Sequence, residues 1–227
     1  LGRAVTNRRV ADRKSGLGNS DKGGIFAINR DGTAPFTLSE GLGSYGGTVG
    51  SNRGMPARAE FYRRVRSGNA DDFIAIEYQP VPYRSTLTRV NSRNGVRTAV
   101  DAGSIANPVA WALDANDVPR AALTQDGERG AFHIRDSASS PWRKVADFNL
   151  FDAAVYEPLY YDKSGTLYVS GRIGGRDHAA IHRFDSTKAA PDPEPLVNVK
   201  GYDIERGLII EPETDRLLGV HFEAEVE

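Results

Sequence analysis

An apolar strand, a turn built on an acidic residue and a second apolar strand recur along this chain. The phrase reads VAWALDANDVPRAALT from Val109 to Thr124 and PLYYDKSGTLYVSG from Pro158 to Gly171. A looser copy, GLIIEPETDRLLGVHF, runs from Gly207 to Phe222. Asp114 and Asp162 lie 48 positions apart, and after each of the first two copies a further pair of strand-like runs follows. A period in the forties built from four short strands is the signature of a β-propeller blade. The repeat therefore predicts an all-β fold, a propeller with about three complete four-stranded blades and partial blades at both ends.

Strands are placed where alternating or β-branched runs are bounded by turn residues. A partial blade over 1–57 takes Arg3–Asp12, Gly24–Arg30 and Pro35–Ser39, with Asp31-Gly32 supplying a positive-φ turn. The blade over 58–104 takes Glu60–Val65, Asp72–Tyr78, Ser85–Asn91 and Val96–Val100, its last hairpin turned by Arg93-Asn94-Gly95. The blade over 105–150 takes Val109–Leu113, Arg120–Thr124, Gly130–Arg135 and Trp142–Asp147. The blade over 151–200 takes Pro158–Tyr161, Thr166–Gly171, Ala179–Phe184 and Pro195–Val199. A partial blade over 201–227 holds Gly207–Glu211 and Arg216–Phe222. Glu40–Met55 is too rich in glycine for a strand and is expected to be a loop. No stretch longer than about ten residues shows a helical period.

Composition narrows the function classes. The 227 residues contain no cysteine, which removes disulfides and thiolate metal sites while leaving cytoplasm or periplasm open. No apolar run approaches the ~20 residues of a membrane-spanning helix. Net charge is −1, yet Leu1–Arg66 holds twelve Lys/Arg against five Asp/Glu, and Asp185–Glu227 holds four against eleven. These are expected to be solvated faces, which in a closed ring would also face each other. Without aromatic interleaving or a helical reader, the basic stretch does not point to nucleic acid.

The chain opens on Leu1-Gly2 without methionine or an apolar signal core, as though cut from something longer. Two arrangements follow: a small four-bladed ring closed by both terminal strands, or an arc of a larger ring. The arc is the expectation. Its terminal strands would carry unpaired backbone groups, so self-association or completion by another polypeptide through edge strands is expected.

Other constellations weigh little. Gly41-x-Gly43-x-x-Gly46 has the letters of a dinucleotide fingerprint, but more glycine follows it instead of a helix. His178 and His182 have the spacing of a zinc-binding helix in a segment expected to be strand, where they would lie roughly 13 Å apart at ~3.3 Å per residue. Asp114-x-Asn116 and Asp162-x-Ser164 resemble the start of a calcium loop and lack its distal glutamate; hairpin turns explain them better. Trp111, Trp142, Tyr160 and Tyr161 are expected to pack between blades. Glu77, Asp101 and Glu157 are the acids that remain as candidates for lining a funnel. No catalytic, cofactor-binding or metal residue is assigned, and no cofactor is expected.

The phrases WALDANDVPRAALT (Trp111–Thr124), Trp142-Arg143-Lys144-Val145, YYDKSGTLYV (Tyr160–Val169), IHRFD (Ile181–Asp185) and LLGVHFE (Leu217–Glu223) resemble the amino-terminal propeller of the prolyl oligopeptidase family. The bacterial acylaminoacyl-peptidase and dipeptidyl-peptidase-like members are the nearest in wording. The resemblance is best from Ala106 to Glu227 and thin before Glu60, and propellers of TolB type use similar wording. In that family the propeller caps an α/β-hydrolase domain carrying a Ser-Asp-His triad. No serine here has glycine at both flanking second positions, so the G-x-S-x-G elbow is missing from the sequence. The resemblance therefore implies a non-catalytic segment that gates and filters peptide substrate for a serine peptidase. The adjacent glutamate pair that dipeptidyl peptidase IV relatives use to grip an amino terminus is also missing, since no Glu-Glu occurs. Two alternatives stay open. One is a free-standing TolB-like propeller binding a protein partner; the other is a small propeller glycosidase or lyase using convergent carboxylates.

Overall fold

The computed structural model describes residues 3–10, 22–38, 59–80, 83–101, 104–152, 155–204, 208–211, 214 and 216–222. Seventeen strands and no helix are found among them: β1 Arg3–Val10, β2 Lys22–Asn29, β3 Phe36–Thr37, β4 Ala59–Arg64, β5 Asp72–Pro80, β6 Tyr83–Asn91 and β7 Arg97–Ala99, then β8 Pro108–Leu113, β9 Pro119–Asp126, β10 Arg129–Ile134 and β11 Arg143–Asn149. They continue with β12 Tyr156–Tyr161, β13 Leu167–Gly171, β14 Ala180–Asp185, β15 Ala190–Pro191, β16 Leu208–Ile210 and β17 Leu217–Val220. The chain divides into two compact units, Leu1–Gly103 and Ser104–Glu227.

The first unit holds a three-stranded sheet, β1-β2-β3, and a four-stranded sheet, β4-β5-β6-β7. Every pairing is antiparallel between chain neighbours, which short turns make possible. Ile25 and Ala27, two apart on β2, face the same side and join Leu38, Ala59, Phe73, Ala75 and Val90 in one core. Phe61 stacks on Phe73 with ring centroids 5.7 Å apart.

The second unit holds two four-stranded meanders, β8 to β11 and β12 to β15, and the two-stranded β16-β17. Their inner faces meet through Ala112, Ala121, Phe132, Ile134, Tyr156, Tyr161, Leu167, Val169 and Phe184. Phe132 sits at the centre, its ring 4.9 Å from Tyr156 and 5.4 Å from Phe184. On the far face of the β12–β15 sheet, Tyr168, Ile181 and Ile204 pack with Leu159, Leu196, Leu208 and Val220, so the β16-β17 hairpin covers that side.

One burial pattern recurs. The second strand of each four-stranded sheet has consecutive buried residues: Phe73 to Ile76 on β5, Ala121 to Leu123 on β9, Leu167 to Gly171 on β13. Successive side chains of a strand point to opposite faces, so consecutive burial means both faces are covered. A sheet with one wet face would alternate instead.

The outer strand of the β12–β15 sheet differs from the expected Pro195–Val199. The Asp185 carboxylate accepts hydrogen bonds from the backbone amides of Thr187 (2.9 Å) and Lys188 (3.2 Å), turning the chain back at once. Ala190–Pro191 is therefore the fourth strand, and Ala189 takes φ 54° to reach it. Pro191, Pro193 and Pro195 supply no amide hydrogen, which breaks the ladder. Residues 195–199 retain only isolated bridges, Ile181 with Val197 and Val199 with Tyr202. Two smaller departures accompany it: Trp142 precedes β11, and His178 precedes β14 instead of lying on it. The expected glycine loop Glu40–Met55, with Gly41, Gly43 and Gly46, lies outside the described residues, as do the strand ends placed at Asp12 and Ser39.

Candidate binding site

The acidic turns are where sequence and geometry agree most closely. Asp114 Oδ1 accepts from the amides of Asn116 (2.8 Å) and Val118 (3.1 Å). Asp162 Oδ1 accepts from the amide of Thr166 (2.8 Å) and the hydroxyl of Ser164 (2.6 Å). In both copies the amide three residues on donates to the turn's first carbonyl at 3.1 Å, from a residue with positive φ: Asp117 at 63° and Gly165 at 88°. The second carboxylate oxygen is anchored six residues on, by Arg120 Nη1 (3.1 Å) in one copy and the Tyr168 hydroxyl (3.0 Å) in the other. These carboxylates are turn anchors, with their lone pairs committed to the hairpin. Burial raises the Asp162 carboxyl, but the bonds from Ser164, Thr166 and Tyr168 together outweigh it and hold it below the usual range.

Among the described residues of the second unit, two of the cavities hold about 420 Å³ each. One lies between the β12–β15 sheet and the β16-β17 hairpin, with Asp162, Tyr168, Arg183, Leu196, Val197 and Leu218 among its walls. The other lies beside the β13–β14 loop, bordered by Tyr156, Arg172, Gly174, Gly175, Arg176 and Pro191. Gly174 and Gly175 both take positive φ, 74° and 75°, which side chains disfavour. The loop is pinned by Asp203, whose carboxylate meets Arg172 Nη2 at 3.0 Å and the Ala179 amide at 2.5 Å, with His178 Nδ1 at 3.8 Å. The Arg172 guanidinium and the Ala179 amide hold the Asp203 carboxyl below its usual range. Each cavity combines apolar side chains with guanidinium groups.

Sequence reasoning missed a second anchor, Arg135. It is buried, donates Nε–H to the Pro119 carbonyl at 2.6 Å, and stacks on Trp142 with the guanidinium 4.4 Å from the ring centre. Trp142 donates its indole N–H to Ser104 Oγ at 2.7 Å and lies 6.1 Å from Trp111. The two tryptophans thus meet each other within the second unit, and Trp111 is buried. Tyr161 does enter the core shared by two sheets, where burial pushes its hydroxyl up to about 12, and Tyr160 packs on the opposite face. No local signal in the sequence announces this cluster, since Ser104 lies 31 positions from Arg135 and 38 from Trp142.

His182 is fully buried, with Nδ1 2.7 Å from the Asp192 carbonyl and Nε2 without a hydrogen-bond partner. Burial lowers its pKa. Among the described residues no three or more His, Asp or Glu side chains are grouped to hold a metal ion. The candidate acids fall in different units: Glu77, 3.8 Å from Arg97 Nη1, and Asp101 in the first, Glu157 on β12 in the second. Ser170 gives its hydroxyl to the Ile204 carbonyl, and Ser137 shares hydrogen bonds with Ser139 and Ser140.

With this geometry in hand, comparison with solved structures places the fold. The structure is similar to TolB from Acinetobacter baumannii, with a TM-score of 0.54 and 12% identity over 97% of this chain and 49% of that one. The all-β architecture is a β-propeller. A puromycin-hydrolyzing peptidase of Mycobacterium tuberculosis also matches, with a TM-score of 0.44 and 11% identity over 86% of this chain and 31% of that one. So does an oligogalacturonate lyase in complex with manganese, with a TM-score of 0.37 and 11% identity over 86% of this chain and 52% of that one. The chain spans about half the length of the TolB structure it matches. No family model matches the sequence, and no curated protein is similar to it at a significant level. No helix among the described residues is long and apolar enough to cross a membrane.

Proposed function

We propose that residues 1–227 are a non-catalytic propeller segment that gates and filters peptide substrate for a serine peptidase of prolyl oligopeptidase type. In this proposal the chain is one continuous array: blades 58–104, 105–150 and 151–200, with partial blades 1–57 and 201–227. The observation that carries it is the coincidence of wording and structure. The phrases Trp111–Thr124, Tyr160–Val169 and Ile181–Asp185, which resemble that family's blades, form the turns and inner strands of two successive meanders.

The chemistry of the described side chains supports a binding role. The Asp114 and Asp162 carboxylates hold turns, and the elbow serine that a triad needs is missing from the sequence. The two cavities offer guanidinium groups and apolar walls to a passing peptide. The test is the sequence that follows Glu227 in the parent gene. An α/β-hydrolase domain with a G-x-S-x-G elbow, directly after Glu227 or after further blades, supports the proposal, and a parent without one overturns it.

A second reading is a free-standing TolB-like propeller that binds a protein partner. It is favoured by large apolar side chains left in water in the second unit: Phe151 is 80% exposed, Leu218 53% and Ile209 50%. Replacing Phe151 with serine abolishes partner capture under this reading and leaves substrate filtering unchanged under the first.

A further inference from the structure

The hairpin between β6 and β7 contains the only Asn-Gly step in the sequence, Asn94-Gly95. Its geometry is set by asparagine side chains. Asn91 Oδ1 accepts from the amides of Arg93 (3.0 Å) and Asn94 (3.3 Å), and Asn94 Oδ1 accepts from the amide of Val96 at 2.9 Å. Asn94 is exposed to water. A bond from a side-chain carbonyl to the amide two residues on folds that side chain over the amide in between. The Asn94 side-chain carbonyl carbon is thereby turned toward the Gly95 nitrogen.

We propose that Asn94 is a site of spontaneous deamidation in the folded chain. The Gly95 nitrogen attacks Cγ of Asn94 and loses its proton to solvent, forming an N–Cγ bond. The Cγ–Nδ2 bond breaks and ammonia leaves with a proton from water, giving a five-membered succinimide. One water then opens the ring at either carbonyl, to aspartate or to isoaspartate. The Val96 amide bonds the oxygen on which negative charge develops during the attack, the arrangement that stabilises an oxyanion.

One contact opposes the step: the Gly95 amide donates to the Asn91 carbonyl at 2.9 Å. Gly95 is buried although Asn94 is exposed, so releasing such a bond costs about 1–3 kcal/mol, roughly 5- to 150-fold in rate. Holding the reacting atoms together is worth far more than that. The structure also contains two internal controls. Asn69 Oδ1 accepts from the amide of Asp71 at 3.0 Å, and Asn149 Oδ1 from that of Phe151 at 3.1 Å. Both make the same side-chain turn, but Ala70 and Leu150 follow them and their Cβ atoms crowd the attacking nitrogen. Isoaspartate at 94 would lengthen the turn by one backbone atom and displace the pairing of Thr88 with Ala99 and Val90 with Arg97.

The experiment incubates the folded chain at mildly alkaline pH and follows each asparagine by peptide mass spectrometry, with isoaspartyl methyltransferase labelling to count isoaspartate. Asn94 is expected to convert at least about tenfold faster than Asn69 or Asn149, about 1.4 kcal/mol in barrier, while the chain stays folded. Gly95→Ala should abolish this lead. Because Gly95 sits at φ 71° and alanine strains the turn, Asn94→Gln is a second variant that keeps Gly95 and should show no conversion at 94. Conversion of Asn94 no faster than of Asn69 and Asn149, or conversion only in denaturant, would overturn the proposal.

Discussion

The β8–β11 and β12–β15 sheets are two solutions to one structural problem, alike in their inner strands and different at their outer edge. Both begin with a strand that ends in an aspartate-anchored turn, and both bury the second strand on two faces. The outer strand is seven residues in one, Arg143–Asn149, and two in the other, Ala190–Pro191. The inner strands carry the packing and the turn, so their pattern repeats. The outer strand makes fewer core contacts, and in the second sheet Pro191, Pro193 and Pro195 cut it short.

The comparison breaks most visibly at the core. Phe132 lies on the inner side of both sheets and touches Tyr156 and Phe184, so Phe132→Ala should cost about 3–5 kcal/mol. Phe148 on the outer strand is half-buried, packs at the margin of this core and meets Tyr156 edge-on. Phe148→Ala should cost clearly less, and equal losses in urea denaturation would contradict the distinction between inner and outer strands.

Next in size are the turn anchors. Asp114→Ala and Asp162→Ala each remove charge-assisted bonds from a half-buried carboxylate, for about 1.5–3 kcal/mol. Double-mutant cycles should couple Asp114 to Arg120 and Asp162 to Tyr168. A coupling indistinguishable from zero in both would mean that the shared geometry is not a shared anchor.

Acid should expose a third equivalence. His133 on β10 and His182 on β14 occupy the third strands, and burial lowers both below the ordinary 6.5. The unfolded chain then binds protons more readily than the folded one as pH falls through that value. Stability is full above about 6.5 and declines below it. Replacing His182 with glutamine should flatten the decline in urea midpoints between neutral pH and about pH 5; an unchanged slope would assign the loss to other groups. The smallest effect is at the β14–β15 turn, where Ala189 has φ 54°. Ala189→Gly should stabilise by a few tenths of a kcal/mol up to about 1, since glycine relieves the left-handed strain but adds unfolded-state entropy.

What was legible in the sequence follows the same division. Inner strands bounded by Asp114 and Asp162 were readable because turn chemistry and alternation act over a few residues. Pro195–Val199 was misplaced because its apolar letters resemble a strand, whereas the decisive element was the tight Asp185 turn upstream. The Arg135, Trp142 and Ser104 cluster was not readable, since nothing local announces a contact across 38 positions. Of the candidate site, the acidic turns were recognised as structural; the cavity beside Arg172 depends on Asp203, 31 residues away.

The central claim is that this segment binds and does no acyl chemistry of its own. Labelling with a fluorophosphonate probe tests it most directly. The account predicts no labelled serine anywhere in Leu1–Glu227, with labelling restored when the segment is studied within a parent that carries the elbow serine. Stoichiometric labelling of any serine within these 227 residues would contradict it.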